Sequence, residues 1–197
     1  LIKRANYISR NNDLTQEFHF CHPQTKFNLN LIYNSSFCGS PLWDLFCRES
    51  KMLENSWNTS FRIMYDLPYA THRFFVESVS GKIHLKNILM KRFLGFLSQI
   101  EKSSKKLPLN LLKLVKHDAR STTGSNLRNM MLLLGKVNTS DISAKDIENF
   151  EYVAVKPEDQ WKVKMVQEII EARENQVNIE HFEMEELDDI LEYLCTI

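Results

Sequence analysis

Apolar residues recur along this chain mostly at three- and four-residue intervals, with only five glycines and five prolines to break them. That spacing favours helices over a turn-rich β fold. Residues 1–19 read as a basic helix with Ile2, Ala5, Ile8, Leu14 and Phe18 on its apolar side. Pro23 can open a second helix, along which Phe27, Leu31, Asn34 and Phe37 follow at helical spacing until Gly39 interrupts it. In SPLWDLF, Pro41 is expected to restart a short helix that turns Leu42, Trp43 and Phe46 toward a core. Ser50 is expected to cap a helix whose stripe is Leu53, Trp57, Phe61 and Met64, ended by Pro68. Thr71 then reads as the cap of HRFFVESV, with His72 and Arg73 in its first turn.

Beyond Gly81, residues Leu85, Ile88, Leu89, Phe93, Phe96, Leu97 and Ile100 give a wide apolar face. KSSKKLP reads as a basic loop, and Pro108 as the start of a helix that buries Leu111, Leu112 and Val115. Ser121 or Thr122 is expected to cap a further helix that runs to Leu134 and stops at Gly135. Residues 137–156 read as a linker, within which YVAV leaves a short strand open. Pro157 starts a helix with Trp161, Met165, Ile169 and Ala172 on one face, and a last helix carries Phe182, Leu187, Ile190, Leu191 and Leu194. The expected fold is therefore all-α. An irregular helical bundle, 1–136, is followed by a linker, 137–156, and a smaller helical pair, 157–197.

Charge sharpens this division. The chain holds 25 basic and 25 acidic residues, yet residues 1–136 carry a net +11 and residues 137–197 a net −11. Opposed halves of this kind point to a nucleic-acid-facing body with an acidic appendage. The basic residues recur through the bundle rather than in a tail, as contacts to backbone phosphates require. Lys3, Arg4, Arg10, Arg62, Arg73, Lys91, Arg92, Lys113, Lys116 and Arg120 are the candidate phosphate ligands. The alternative is a helical protein–protein interaction module that docks through its acidic tail.

Motifs for chemistry are few. There is no glycine-rich phosphate loop, no His-Glu-x-x-His and no Gly-x-Ser-x-Gly. Asp188-Asp189 is the only aspartate pair, and its helical setting directs both carboxylates to solvent. Thr71-His72-Arg73 has no local nucleophile, orienting partner or pocket, so it reads as a joint. The scattered Cys21, Cys38, Cys47 and Cys195 form no metal-binding spacing and read as reduced thiols of a cytosolic or nuclear protein. No cofactor or metal is expected. LIKRANYISRNN has no apolar signal core, and no window has the length of a membrane span. The three Asn-x-Ser/Thr sequons are read as chance. A start at Leu1 is expected of a processed product or a piece of a longer reading frame.

Several segments in order carry a resemblance. They are SFCGSPLWDL (36–45), SWNTSFRIMYDLPYATHRFF (56–75), MKRFLGFL (90–97), HDARSTTGSNLRNM (117–130), QWKVKMVQEIIEAR (160–173) and ELDDILEYLCTI (186–197). This order resembles the region downstream of the reverse-transcriptase palm in non-LTR (LINE-type) retrotransposon polyproteins, and it covers nearly the whole chain. The resemblance implies thumb helices that hold a template–primer duplex and a C-terminal part that contributes to template RNA binding. RNA or an RNA/DNA duplex and an upstream palm domain would then be the partners, with no membrane. The family's catalytic aromatic-x-Asp-Asp hairpin and its Cys-Cys-His-Cys knuckle are absent here, so neither polymerase activity nor a zinc contact carries over. The family pattern makes Leu67-Pro68-x-x-Thr71-His72-Arg73 a structural joint, with Gly39, Trp43 and Trp57 in structural roles and Arg73 within reach of a phosphate.

Overall fold

A computed structural model describes residues 1–17, 36–73, 75–76, 84–118, 120–148, 160–175 and 189–193, with isolated positions 21, 25, 28, 29, 32 and 34. The chain is all-α, and the described residues contain no strand. The helices are α1 (Ile2–Glu17), α2 (Arg48–Met64), α3 (Leu85–Glu101), α4 (Lys106–His117), α5 (Thr122–Leu133), α6 (Ala144–Glu148) and α7 (Gln160–Asn175). Two 3₁₀ turns, Ser40–Leu42 and Thr139–Asp141, join them. The expected Pro23 helix, the Gly81 break, the YVAV strand, the Pro157 start and most of the last helix lie outside the described residues.

The chain divides into two compact units that do not follow a 1–136/157–197 split. The first comprises Leu1, Phe37–Glu54 and His84–Glu151; the second comprises Ile2–Ser36, Asn55–Ile83 and Tyr152–Ile197. Residues of α2 belong to both. Its stripe is as the spacing predicts: Leu53, Trp57, Phe61 and Met64 are all buried.

In the first unit α3 touches the Ser40–Leu42 turn, α4 and α6, while α5 packs on α4 and on the Thr139–Asp141 turn. Leu85, Leu89, Met90, Phe93 and Leu97 form the buried side of α3, and the His84 Nδ1 caps its start by accepting from the Lys86 N–H at 3.2 Å. Ser121 caps α5 as expected: its Oγ accepts from the Gly124 N–H at 2.9 Å. Gly135 ends α5 at φ 61°, with the Lys136 N–H donating to the Met131 carbonyl at 2.9 Å and the Gly135 N–H to the Leu132 carbonyl. This is the paired-bond stop that a left-handed residue provides. The segment read as linker is structured through Glu148. Ser143 and Asp146 form a reciprocal capping box, Lys136 Nζ lies 2.7 Å from Asp146 Oδ1, and Ile147 is fully buried.

Four further expectations change. Pro41 starts only a 3₁₀ turn, so Leu42 points to solvent and Leu45 is buried in its place. Ser50 lies inside α2, and its hydroxyl donates to the Leu45 carbonyl at 2.9 Å rather than capping the helix. Leu111 is exposed, because α4 packs through Leu112. In the second unit Ile169 and Ala172 are buried as read, but Trp161 is exposed, since the buried face of α7 is turned to include Val166 and Ile170.

The DLPYATHR segment is a built joint. At the end of α2 Asp66 takes φ 51°, so the Leu67 N–H reaches back to the Arg62 carbonyl at 2.8 Å and the Asp66 N–H to the Ile63 carbonyl. The helix thus stops on a left-handed residue before Pro68 is reached. The Thr71 hydroxyl donates to the Pro68 carbonyl at 2.6 Å, closing the turn behind it. Thr71 is buried and His72 is exposed, its carbonyl accepting from the Phe75 N–H.

Candidate nucleic-acid interface

The ten basic candidates fall five to each unit. In the second unit Lys3 and Arg10 are exposed on α1, opposite the buried Ala5 and Ile8. Arg4 has a different setting: its Nη2 donates to the Asn34 carbonyl at 2.6 Å, and its guanidinium lies 4.5 Å from the Tyr7 ring centroid. Asn34 is itself held by Asn11, whose Nδ2 donates to the Asn34 Oδ1 at 2.8 Å. Arg62 is turned toward the joint. Its Nε and Nη2 both donate to the Thr71 carbonyl, at 3.2 and 2.8 Å. Burial pushes the guanidinium pKa of Arg62, and of Arg4, below the ordinary arginine value. Backbone carbonyls thus hold both guanidinium groups. Arg73 is half-buried in the same joint.

In the first unit Arg92 is exposed on α3, its guanidinium 5.4 Å from the Phe37 ring centroid. Phe37 also meets Trp43 edge-on, at 6.3 Å and 81°. Lys113 is exposed on α4. Arg120 extends into solvent just past α4, with its backbone N–H donating to Asp118 Oδ1 at 2.9 Å. Lys91 and Lys116 line an open cleft of about 410 Å³, together with Ser98, Glu101, Leu127 and Ser140. Within it Lys116 is ion-paired to Glu101, so the cleft is of mixed charge. The exposed candidates are thus Lys3, Arg10, Arg92, Lys113 and Arg120.

The residue that joins two of the quoted motifs carries no charge. Asn126 is fully buried; its Nδ2 donates to the Trp43 carbonyl at 2.8 Å and its Oδ1 accepts from the Leu45 N–H at 3.0 Å. One side-chain amide therefore fixes the PLWDL turn against α5. Asn126 shares the buried face of α5 with Leu127 and Met130, and a polar residue on an apolar stripe was the available signal for it.

Among the described residues no three His, Cys, Asp or Glu side chains gather as a metal site requires, and no helix is long and apolar enough to cross a membrane. Cys21, Cys38 and Cys47 are free thiols. Comparison with protein-family models, curated proteins and solved structures finds no match to this chain.

Proposed function

We propose that this chain is a non-catalytic nucleic-acid-binding module, corresponding to the thumb and C-terminal region of a LINE-type reverse transcriptase. It holds template RNA or a template–primer duplex beside an upstream palm domain, in the cytoplasm or nucleus. The observation that carries the reading is the exposure of Lys3, Arg10, Arg92, Lys113 and Arg120 on helices or beside helix ends, within the sequence span 1–136 of net +11. Cations spread over helical surfaces meet phosphates without reading bases. The order of the quoted motifs supports the specific family, and the absence of the aromatic-x-Asp-Asp hairpin supports a binding rather than a polymerising role. Arg4 and Arg62 drop out of the proposed phosphate contacts because backbone carbonyls already hold them.

The test is fluorescence anisotropy with a labelled RNA and a labelled RNA/DNA duplex. Arg92→Ala/Arg120→Ala and Lys3→Ala/Arg10→Ala should each weaken binding of both ligands to a similar degree, whatever the base sequence. Variants that bind as the parent does would overturn the reading.

A further inference from the structure

Helix α4 leaves its most apolar ridge uncovered. Leu107, Leu111 and Leu114 recur at i, i+4 and i+7, and they are 70%, 52% and 70% exposed. The opposite side of the helix is the packed one, through Leu112. Beside the leucines runs a second exposed ridge, Lys106, Asn110, Lys113 and His117, again at i, i+4, i+7 and i+11. The other border is different, since Pro108 and Val115 are half-buried there. Residues 102–117 hold five lysines and no acidic residue.

We infer that this face of α4 is a docking surface for an acidic amphipathic helix of a partner protein. Three leucines in water are rewarded only by an apolar ligand, so a phosphate backbone does not account for them. A second copy packed antiparallel on the same ridge would set Lys106 and Lys113 against the same lysine flank of the other helix, where like charges repel. A lipid surface meets cations on both borders of an inserted stripe, whereas here the cations occupy one border only. A helix with leucine-like residues facing the stripe and carboxylates along one edge matches both ridges at once. Lys113 belongs to both surfaces, but the leucines take no part in phosphate binding, so the leucine substitutions test this inference apart from the nucleic-acid reading.

The experiment uses the full chain and a fluorescein-labelled peptide of about 18 residues, long enough to hold helix. The peptide is built of Leu, Ala and Glu, with leucines along one face and glutamates on one border. A counterpart carries Lys in place of Glu. The Glu peptide should bind, and the Lys peptide should bind at least about tenfold more weakly. Leu107→Ser/Leu111→Ser/Leu114→Ser should weaken the Glu peptide by about tenfold or more, while helicity and RNA affinity stay as in the parent. Lys106→Glu should weaken the Glu peptide and improve the Lys peptide. Absence of Glu-peptide binding, or binding that survives the triple leucine substitution, would overturn the proposal. So would binding of phosphatidylserine-containing vesicles that is lost with the leucines while the peptide is ignored.

Discussion

Asn126 shows how one side chain can hold a fold together without any apolar contribution of its own. Its amide satisfies one buried donor and one partly buried acceptor more than 80 positions away in sequence. Asn126→Ala would leave the Leu45 N–H and the Trp43 carbonyl unpaired, each at a cost of about 1–3 kcal/mol. We expect a loss of at least about 2 kcal/mol in urea denaturation, a size that removal of an exposed amide would not reach. Asp146 makes a prediction about pH. Hydrogen bonds from the Lys136 ammonium and from Ser143 hold its carboxyl well below the usual carboxylate range. A depressed folded pKa contributes stability that is complete above the unfolded value of about 3.9 and is lost as pH falls from there through the folded pKa. Asp146→Asn should therefore be less stable than the parent at pH 7, and the gap should close progressively below about pH 4. A gap that stays constant across that range would contradict the role given to the ion pair. Neither residue was legible as a functional part of the sequence. Asn126 is one of many asparagines, and Asp146 lay in a stretch whose polarity reads as linker until Ser143-x-x-Asp146 is recognised as a capping box.

The same contrast between pattern and contact holds for whole elements. The α2 stripe was legible because four large apolar residues at helical spacing admit one buried face. Trp57 is fully buried and meets Phe61 edge-on at 5.4 Å and 74°, so Trp57→Ala should cost about 3–5 kcal/mol, read as a shift in denaturation midpoint at unchanged slope. The glycines near the two ends of α5 differ for a reason that no local pattern carries. Gly135 needs its left-handed φ but has open space around it, so Gly135→Ala should cost only about 1 kcal/mol. Gly124 sits where α5 starts against the end of α4. A Cβ there would stand 2.8 Å from the Val115 carbonyl oxygen and closer still to that of Asp118. Gly124→Ala should be the more damaging of the pair, at about 2 kcal/mol or more, because backbone must move. If Gly124→Ala proved the milder substitution, the α4–α5 approach described here would be wrong. Element ends were harder to place than faces. Pro68 marks the neighbourhood of the α2 stop, yet the stop itself is made by Asp66 in the left-handed region, a position that sequence assigns to glycine or asparagine first.

At the scale of the molecule, sequence conveyed the class and the charge but not the partition. Helical periodicity sufficed for an all-α chain, and composition sufficed for the +11 and −11 halves. The two units interleave along the chain, with α2 residues in both, and periodicity carries no information about such long-range grouping. The ten candidate cations were legible as residues but not as surface. Hydrogen bonding to the carbonyls of Asn34 and Thr71 separates Arg4 and Arg62 from the exposed Lys3, Arg10, Arg92, Lys113 and Arg120, and those bonds exist only after folding. The exposed five make the nucleic-acid reading quantitative, since each phosphate neutralised on single-stranded RNA contributes about −0.7 to the slope of log affinity against log salt. The most direct measurement is therefore the affinity of the full chain for single-stranded RNA across a salt series. Nucleic-acid binding through these cations should be tight at low salt, with a slope of about −3 to −4. A flat line, or no binding at low salt, would contradict it.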